Sequence, residues 1–251
     1  MFSYFFKREI YGKYIGNITG VSWVFIQPVL TLLIYAFVFE RIFHAKFPES
    51  ETIGFIVYLA LGFWPWTAFS ESVLKAIPAV IDKKDLIGKV NLDFRIPVIA
   101  TISASFILNV VGYILVLIIL ILFGNDFNYN AIPLLIFPLI ILYIFALALG
   151  LLLSAIQVYI RDTIHFMGTM MTLWFFMTPI VYSVSLMPDY IKKIMLFNPI
   201  FIPIKFIHSA LLTNNQLNWL PMFLLFIFVI IFLWLANKIF NRLSTKFEDF
   251  I

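Results

Sequence analysis

Six apolar runs, each close to the length needed to cross a lipid bilayer, take up most of this 251-residue chain. The runs are roughly 20–43, 53–76, 96–123, 131–160, 164–182 and 217–240. A membrane-spanning helix needs about 20 apolar residues to cross a hydrocarbon core of about 30 Å. The sequence therefore predicts an all-α polytopic membrane protein that forms a single domain over residues 1–251, with six transmembrane helices.

The composition leaves no room for a soluble module of useful size. Hydrophobic residues make up 63% of the chain and charged residues 12%, against about 25% charged residues in an ordinary soluble domain. The sequence has no phosphate-binding loop, since the nearest fragment, Gly88-Lys89, is followed by Val90 and lacks the upstream glycine. Any ATP hydrolysis must therefore be carried out by another chain.

Several kinds of chemistry are not expected of this sequence. It contains no cysteine and three histidines without metal-ligand spacing, so we expect neither disulfides nor a metal site. No arrangement of acids, histidines or nucleophiles suggests catalysis, and we expect no cofactor in this chain. The net charge of +4 does not indicate nucleic-acid binding, because the basic residues lie where a membrane protein needs them.

Lysine and arginine predict the orientation, because positive charge is enriched on the cytoplasmic side. If the N-terminus is cytoplasmic and six spans alternate, the inner segments hold 12 of the 17 basic residues. We therefore predict that both termini are cytoplasmic. The five basic residues predicted on the outer side are Arg41, Lys46, Lys192, Lys193 and Lys205.

Two inner segments have an amphipathic pattern. Residues 1–19 place Phe2, Phe6 and Ile10 four residues apart, which predicts a cytoplasmic helix in the headgroup plane; the alternative is a basic leader without fixed structure. In the segment 77–95, pairs of apolar residues alternate with charges. This pattern suits a short amphipathic helix, and an ordinary charged loop remains open.

Prolines mark two unusual regions. Pro65, between Trp64 and Trp66 in the second run, removes one helical hydrogen bond, so a neighbouring helix must satisfy the freed carbonyl. Pro188 and Pro199 divide an apolar outer segment into pieces of about 189–197 and 199–212. Each piece is too short to span, so we predict two short re-entrant or interfacial helices within 186–214; a seventh span is the alternative.

Few charges lie inside the runs or in their shortest connections. Glu71 and Lys75 are four residues apart in the second run, and they are predicted to pair with each other. Arg161-Asp162, before the fifth run, is either an orientation signal with a local partner or a fixed ion pair at a subunit contact.

The order of these features resembles the membrane subunits of type-2 ABC exporters, specifically the bacterial permeases that export O-antigen, capsule and teichoic acid. The resemblance covers essentially the whole chain. It rests on the following segments: Trp23 to Pro28, Phe63-Trp64-Pro65-Trp66 with Phe69, Arg161-Asp162, Trp174 to Tyr182, Met187-Pro188 and Asn198-Pro199.

The resemblance implies partners as well as a fold. It implies a homodimer in the bacterial cytoplasmic membrane with two copies of a separate ATPase, which would hold ATP and Mg. The cargo would be a lipid-linked polysaccharide. Coupling to the ATPase would involve Lys83, Lys84, Leu86, Ile87, Arg161 and Asp162, and the outer gate would involve Pro188, Asn198 and Pro199.

The resemblance also implies that the first and fifth spans of the two copies face one another around a channel. Aromatic faces pack against sugar rings, and Tyr and Trp add a hydrogen-bond donor. Candidate channel residues are Tyr35, Phe39, Trp64, Trp66, Trp174, Phe175 and Tyr182. With 30 phenylalanines in the chain, the alternative is that these aromatics pack against lipid or neighbouring helices.

The sequence thus predicts the permease subunit of an ATP-driven polysaccharide exporter, without enzymatic activity of its own. A type-2 ABC permease for another lipid or drug is the first alternative. A membrane enzyme or assembly factor of glycan synthesis is the second.

Overall fold

The computed structural model describes residues 2–12, 20–38, 54–84, 93–123, 128–182, 184, 187–212, 217–247 and 250. This part of the chain contains helices and no strand. The α-helices are α1 (Phe2–Gly12), α2 (Gly20–Ala36), α3 (Phe55–Ala76), α4 (Arg95–Leu122), α5 (Ile136–Tyr159), α6 (Thr163–Phe176), α7 (Asp189–Met195), α8 (Phe201–Leu212) and α9 (Leu220–Ser244). Short 3-10 turns occupy Ile77–Ala79, Ile81–Lys83 and Tyr129–Leu135.

Three helical stretches among the described residues are long and apolar enough to cross a membrane: Arg95–Leu122, Tyr129–Tyr159 and Leu220–Ser244. They coincide with the third, fourth and sixth apolar runs. Shorter apolar stretches are Ile26–Tyr35 and Phe201–Leu212. The all-helical fold class is confirmed, and the count of six spans stays a prediction.

Helix α3 lies at the centre of the helical packing and contacts α2, α4, α5, α6 and α8. Its Trp, Pro, Ser and Glu residues make it less apolar than the three stretches above, although it has 22 residues. Most of its residues are buried. A helix surrounded by other helices does not need a lipid-facing surface, which explains why polar residues are accepted here.

Two other contacts set the shape of the bundle. Helix α5 crosses α3 and α4 closely at Gly150, where an added Cβ would lie 2.5 Å from Ile102 Cδ1 and 3.1 Å from Ala76 Cβ. Helix α9 packs along α5 and leaves apolar side chains such as Leu224 and Ile231 exposed. Helix α9 therefore lies at the periphery of the protomer.

The carbonyl that Pro65 leaves free in α3 accepts a hydrogen bond from a neighbouring helix, as the sequence predicts. Pro65 cannot donate to the carbonyl of Leu61, and the Tyr113 hydroxyl of α4 donates to that carbonyl instead, at 3.3 Å. Tyr113 is only 2% exposed, so no water competes for the same acceptor. The prediction that a neighbouring helix satisfies the freed carbonyl is confirmed.

We expect Tyr113→Phe to lower the free energy of unfolding by about 1–3 kcal/mol, because a buried carbonyl loses its donor. In a Pro65→Ala background the same change should cost much less, since the alanine N–H can donate to Leu61. Thermal unfolding of the four proteins of this cycle in detergent measures the difference. Equal costs in the two backgrounds would contradict the assignment.

Candidate functional site

Aromatic rings from four helices form one connected cluster. The Tyr35 ring of α2 stacks on Phe175 of α6 at 5.5 Å between centroids and meets the edge of Phe63 of α3 at 6.0 Å. Trp174 of α6 lies 6.3 Å from Trp66. The cluster continues through Phe69 and Phe145. It joins the first and fifth apolar runs through the second.

The predicted channel residues differ in exposure. Trp64, Trp66 and Phe175 are buried inside the protomer, at 2%, 5% and 5% exposure. Tyr35, Trp174 and Tyr182 are partly exposed. Phe39 lies outside the described residues. Trp64, Trp66 and Phe175 pack on other side chains of the same chain. That any of the seven candidate residues lines a translocation channel stays a prediction.

Helix α6 ends at Phe176, six residues before the predicted end of the fifth run, because Pro179 cannot continue a helix. Side chains satisfy the carbonyls released at this end. The Thr178 hydroxyl donates to the Trp174 carbonyl at 2.8 Å, and the Tyr182 hydroxyl donates to the Phe176 carbonyl at 2.7 Å. The non-helical segment can therefore stay within an apolar environment.

Asn198, one of the predicted gate residues, connects the C-terminal end of α6 to the segment before α8 through hydrogen bonds. Its Oδ1 accepts from Trp174 Nε1 at 2.8 Å and from the Ile200 N–H at 3.0 Å. Its Nδ2 donates to Thr178 Oγ1 at 3.0 Å. Of the other two gate residues, Pro188 directly precedes α7, and Pro199 lies in the turn before α8. The structure thus ties Asn198 to the channel candidate Trp174.

Asn198→Ala should lower the free energy of unfolding by about 1–3 kcal/mol, because the Trp174 N–H loses its acceptor and the Thr178 hydroxyl loses the amide that donates to it. Asn218→Ala is the matched control, since Asn218 is exposed and accepts a hydrogen bond from the nearby Leu220 N–H, at 3.1 Å. Thermal unfolding of both variants in detergent tests this. Equal shifts in the two variants would show that Asn198 acts only as a local turn residue.

At the opposite end of the bundle, Lys83 is enclosed by the N-terminal helix. Its Nζ lies 2.8 Å from Glu9 Oε2 and 2.8 Å from Thr101 Oγ1. It also lies 5.8 Å from the centre of the Phe5 ring. The Lys83 side chain is 12% exposed, so this predicted coupling residue contacts α1 and α4 within its own protomer.

The other predicted coupling residues fall into two groups. Lys84 ends the described part of its segment, and Leu86 and Ile87 lie outside it. Arg161 and Asp162 are exposed in the turn between α5 and α6. Gln157 holds this turn, with Nε2 donating to the Arg161 carbonyl at 2.8 Å and Oε1 accepting from the Ile164 N–H at 3.1 Å.

The start of α4 is fixed by charge. Arg95 Nε donates to both Asp93 carboxylate oxygens at 2.9 Å, and the pKa of Asp93 is lowered, first of all by the Arg95 hydrogen bonds. Arg95 Nη1 also donates to Asn237 Oδ1 of α9 at 3.1 Å. These contacts hold the start of α4 against α9.

Sequence reasoning missed His208, which joins α8 to α3. Its Nε2 lies 3.0 Å from the Tyr58 carbonyl and therefore carries the proton, since a carbonyl can only accept. Its ring stacks on Tyr58 at 4.0 Å, and Gly62 leaves the room it needs. Burial lowers the pKa of His208 to about 4, so the ring is neutral at pH 7. A histidine within an apolar segment was the available signal.

The open surface of the protomer includes both candidate channel helices. Helix α2 exposes Leu30, Leu33 and Ile34, and α6 exposes Phe166 and Leu173. Among the described residues, no group of three His, Asp or Glu side chains lies together.

Comparison with known proteins gives a family match over most of the chain. The sequence model described as "ABC-2 type transporter" matches residues 2–212. The chain is 28% identical over 251 residues to the O-antigen export system permease protein RfbA of Myxococcus xanthus, covering 98% of this chain and 93% of that protein.

Two further relatives are more distant. One is an RfbA permease of Klebsiella pneumoniae, 22% identical over 248 residues, with 98% of this chain and 92% of the relative covered. The other is the polysialic acid transport protein KpsM of Escherichia coli, 23% identical over 236 residues, with 92% and 89% covered.

Proposed function

Because this chain belongs to the ABC-2 type transporter family, matched over residues 2–212, we propose that it is the membrane subunit of an ATP-driven exporter of a lipid-linked polysaccharide. The observation that carries this proposal is the full-length similarity to permeases named for the export of O-antigen and polysialic acid. Membership in the family argues against the alternative of a glycan-synthesis enzyme. A permease for another lipid or drug remains the competing function.

In this proposal the permease acts as a homodimer in the bacterial cytoplasmic membrane, with both termini in the cytoplasm. Two copies of a separate ATPase supply the energy, and ATP and Mg are bound there. Helices α2 and α6 pack against each other through Tyr35 and Phe175, and both leave apolar side chains exposed. These neighbouring exposed faces support a path between the two copies. The exposed Arg161 and Asp162 are accessible to an ATPase.

The function is tested in cells that lack this gene and make the glycan. We expect the glycan to accumulate inside the cell and to reach the surface again when the unaltered chain is supplied together with its ATPase. Surface glycan is measured by antibody or lectin binding. Glycan export that continues without the chain, with a change in drug or lipid export instead, would favour the competing function. A lone ATPase gene beside this one, among glycosyltransferase genes, would support the proposal.

Changing Leu86 and Ile87 together to Asp should reduce recovery of the ATPase several-fold when the permease is purified. The reason is that the charges would be buried in an apolar contact. Membrane insertion should be unchanged. The measurement is the ratio of ATPase to permease after affinity purification. A normal ratio together with normal export would place the docking site elsewhere.

A further inference from the structure

A groove of about 380 Å³ lies between α4, α5 and α9, away from the aromatic cluster, and is open at the surface. It is called the α9 groove below. Its volume is within the range of about 300–1,000 Å³ that is typical of ligand sites. The residues that line it are Ile99, Leu147, Leu151, Ile230, Leu233, Trp234 and Asn237.

The α9 groove follows the direction of the membrane-length helices. Residues four positions apart lie above one another on the same side of a helix, as Leu147 and Leu151 do on α5. From Ile230 to Asn237 the groove extends about 10 Å along α9, at a rise of 1.5 Å per residue. One leaflet contributes about 15 Å of hydrocarbon, half of the core of about 30 Å. The groove therefore has the length and direction of one acyl chain within one leaflet.

Polar groups lie at the end of the α9 groove that is nearer to the C-terminal end of α9. Asn237 is the polar residue of the lining, and its Oδ1 accepts from Arg95 Nη1 at 3.1 Å. Its Nδ2 donates to no other described residue. Arg95 is itself paired with Asp93, so these two residues add no net charge here. The Asn237 amide thus keeps a donor for a ligand.

The net positive charge at this end comes from α9. Lys238 is exposed, and its Nζ lies 5.2 Å from the centre of the Trp234 ring, which lines the groove. Arg242 lies one turn further along and is also exposed. Helix α9 contains no acidic residue, and neither cation has an acidic partner in the described part of the chain. The charge beside the groove is therefore uncompensated by these residues.

The enrichment of basic residues on the cytoplasmic side accounts for positive charge near this end of α9. It does not account for the position of the Lys238 ammonium group. A lysine near the membrane surface usually extends this group toward water, whereas Lys238 extends back over Trp234, which lies nearer to the middle of α9. An anionic group at the same depth would stabilise a cation in this position.

We propose that the α9 groove binds an anionic phospholipid of the leaflet at which α9 ends. One acyl chain lies along the apolar lining, and the phosphate contacts Lys238 and the Asn237 amide, with Arg242 one turn away. A zwitterionic lipid would fit the lining equally well, but its headgroup would not compensate the charge. The site lies at the periphery of the protomer, and the inference depends only on the membrane location of these helices.

The test uses the full chain, reconstituted in bilayers of equal parts phosphatidylglycerol and phosphatidylcholine. In each sample one of the two lipids carries bromine atoms on its acyl chains, which quench tryptophan fluorescence on contact. The Trp234 signal is the difference between a protein and its Trp234→Phe counterpart, because the other tryptophans are the same in both. The relative binding constant of the two lipids at Trp234 follows from the two degrees of quenching.

We expect this constant to favour phosphatidylglycerol by about fivefold, the preference that one cation at the membrane surface gives. Lys238→Gln should bring it close to one. Lys205→Gln is the matched control and should keep the fivefold preference. Lys205 is likewise exposed and lies 5.6 Å from the ring of Phe201, four residues before it, so the variant removes the same charge from a similar contact on α8.

Three results would overturn the inference. Equal quenching of Trp234 by both lipids in the unaltered chain would show that the groove holds bilayer lipid without selection. Equal losses of preference in Lys238→Gln and Lys205→Gln would show a general effect of charge. No quenching of Trp234 by either lipid would show that protein fills the groove, either a second copy or another segment of this chain. Export is measured separately in cells, so failure of the proposed function is distinguishable from these outcomes.

Discussion

Glu9→Lys should reduce export by at least about tenfold, and the exchange of the two charges, Glu9→Lys with Lys83→Glu, should restore most of it. Lys83 is 12% exposed and its Glu9 partner 23% exposed, so the reversed charge would place two cations together in a largely enclosed site. Breaking a buried pair costs about 3–5 kcal/mol. Partial exposure reduces this figure to about 2 kcal/mol.

The expected loss follows from what the pair connects. Glu9 lies on α1, Lys83 ends the turns after α3, and Thr101 lies on α4. Without the pair, α1 is held mainly by apolar contacts such as that of Phe5, which is 4% exposed. If the inner segment transmits ATPase motion, a loosened α1 weakens this transmission. Surface glycan measures export, and protease sensitivity of α1 measures its docking.

Two companion variants make this result specific. Glu9→Gln removes the charge without reversing it and should give an intermediate loss. The double exchange keeps the net charge of the chain, so its recovery cannot come from altered membrane insertion. Full export by Glu9→Lys, or a double exchange no better than either single change, would contradict a role for the pair.

Contacts between residues near in sequence could be predicted, whereas contacts between distant ones could not. The Glu71–Lys75 pair follows from helical spacing, and the need for a donor to Leu61 follows from Pro65. The sequence did not reveal that Tyr113, 52 residues away from Leu61, would be that donor. Nor did it pair Lys83 with Glu9, 74 residues away, because such pairings depend on how whole helices pack.

Hydropathy also gave less information about helix ends than about helix positions. The fifth apolar run continues to Tyr182, but α6 ends at Phe176, because Pro179 cannot continue the helix and the hydroxyls of Thr178 and Tyr182 satisfy the released carbonyls. Hydropathy likewise could not separate Trp66 from Trp174. Both are aromatic and their rings lie 6.3 Å apart, yet the packing of α3 inside the bundle buries the first and leaves the second partly exposed.

The double change Tyr35→Ala with Trp174→Ala should slow export by about thirtyfold, if each ring contributes about 1 kcal/mol of stacking to the passing sugar. Each single change should have a partial effect. Both rings also pack inside the protomer, Tyr35 on Phe175 and Trp174 on Phe145. A loss of stability must therefore be separated from a loss of cargo contact, because large-to-small changes in packed sites cost about 2–5 kcal/mol.

Three variants separate a loss of stability from a loss of contact with the cargo. Phe226→Ala removes a ring that packs on Phe137 between α9 and α5, at 5.8 Å, far from α2, and should leave export unchanged. Trp174→Phe keeps an aromatic face but loses the N–H to Asn198, and Tyr35→Phe keeps the ring without its hydroxyl. If the faces bind cargo, both phenylalanine variants retain most export, whatever their thermal stability. If export follows thermal stability across all these variants, including Phe226→Ala, the rings serve packing and the path lies elsewhere.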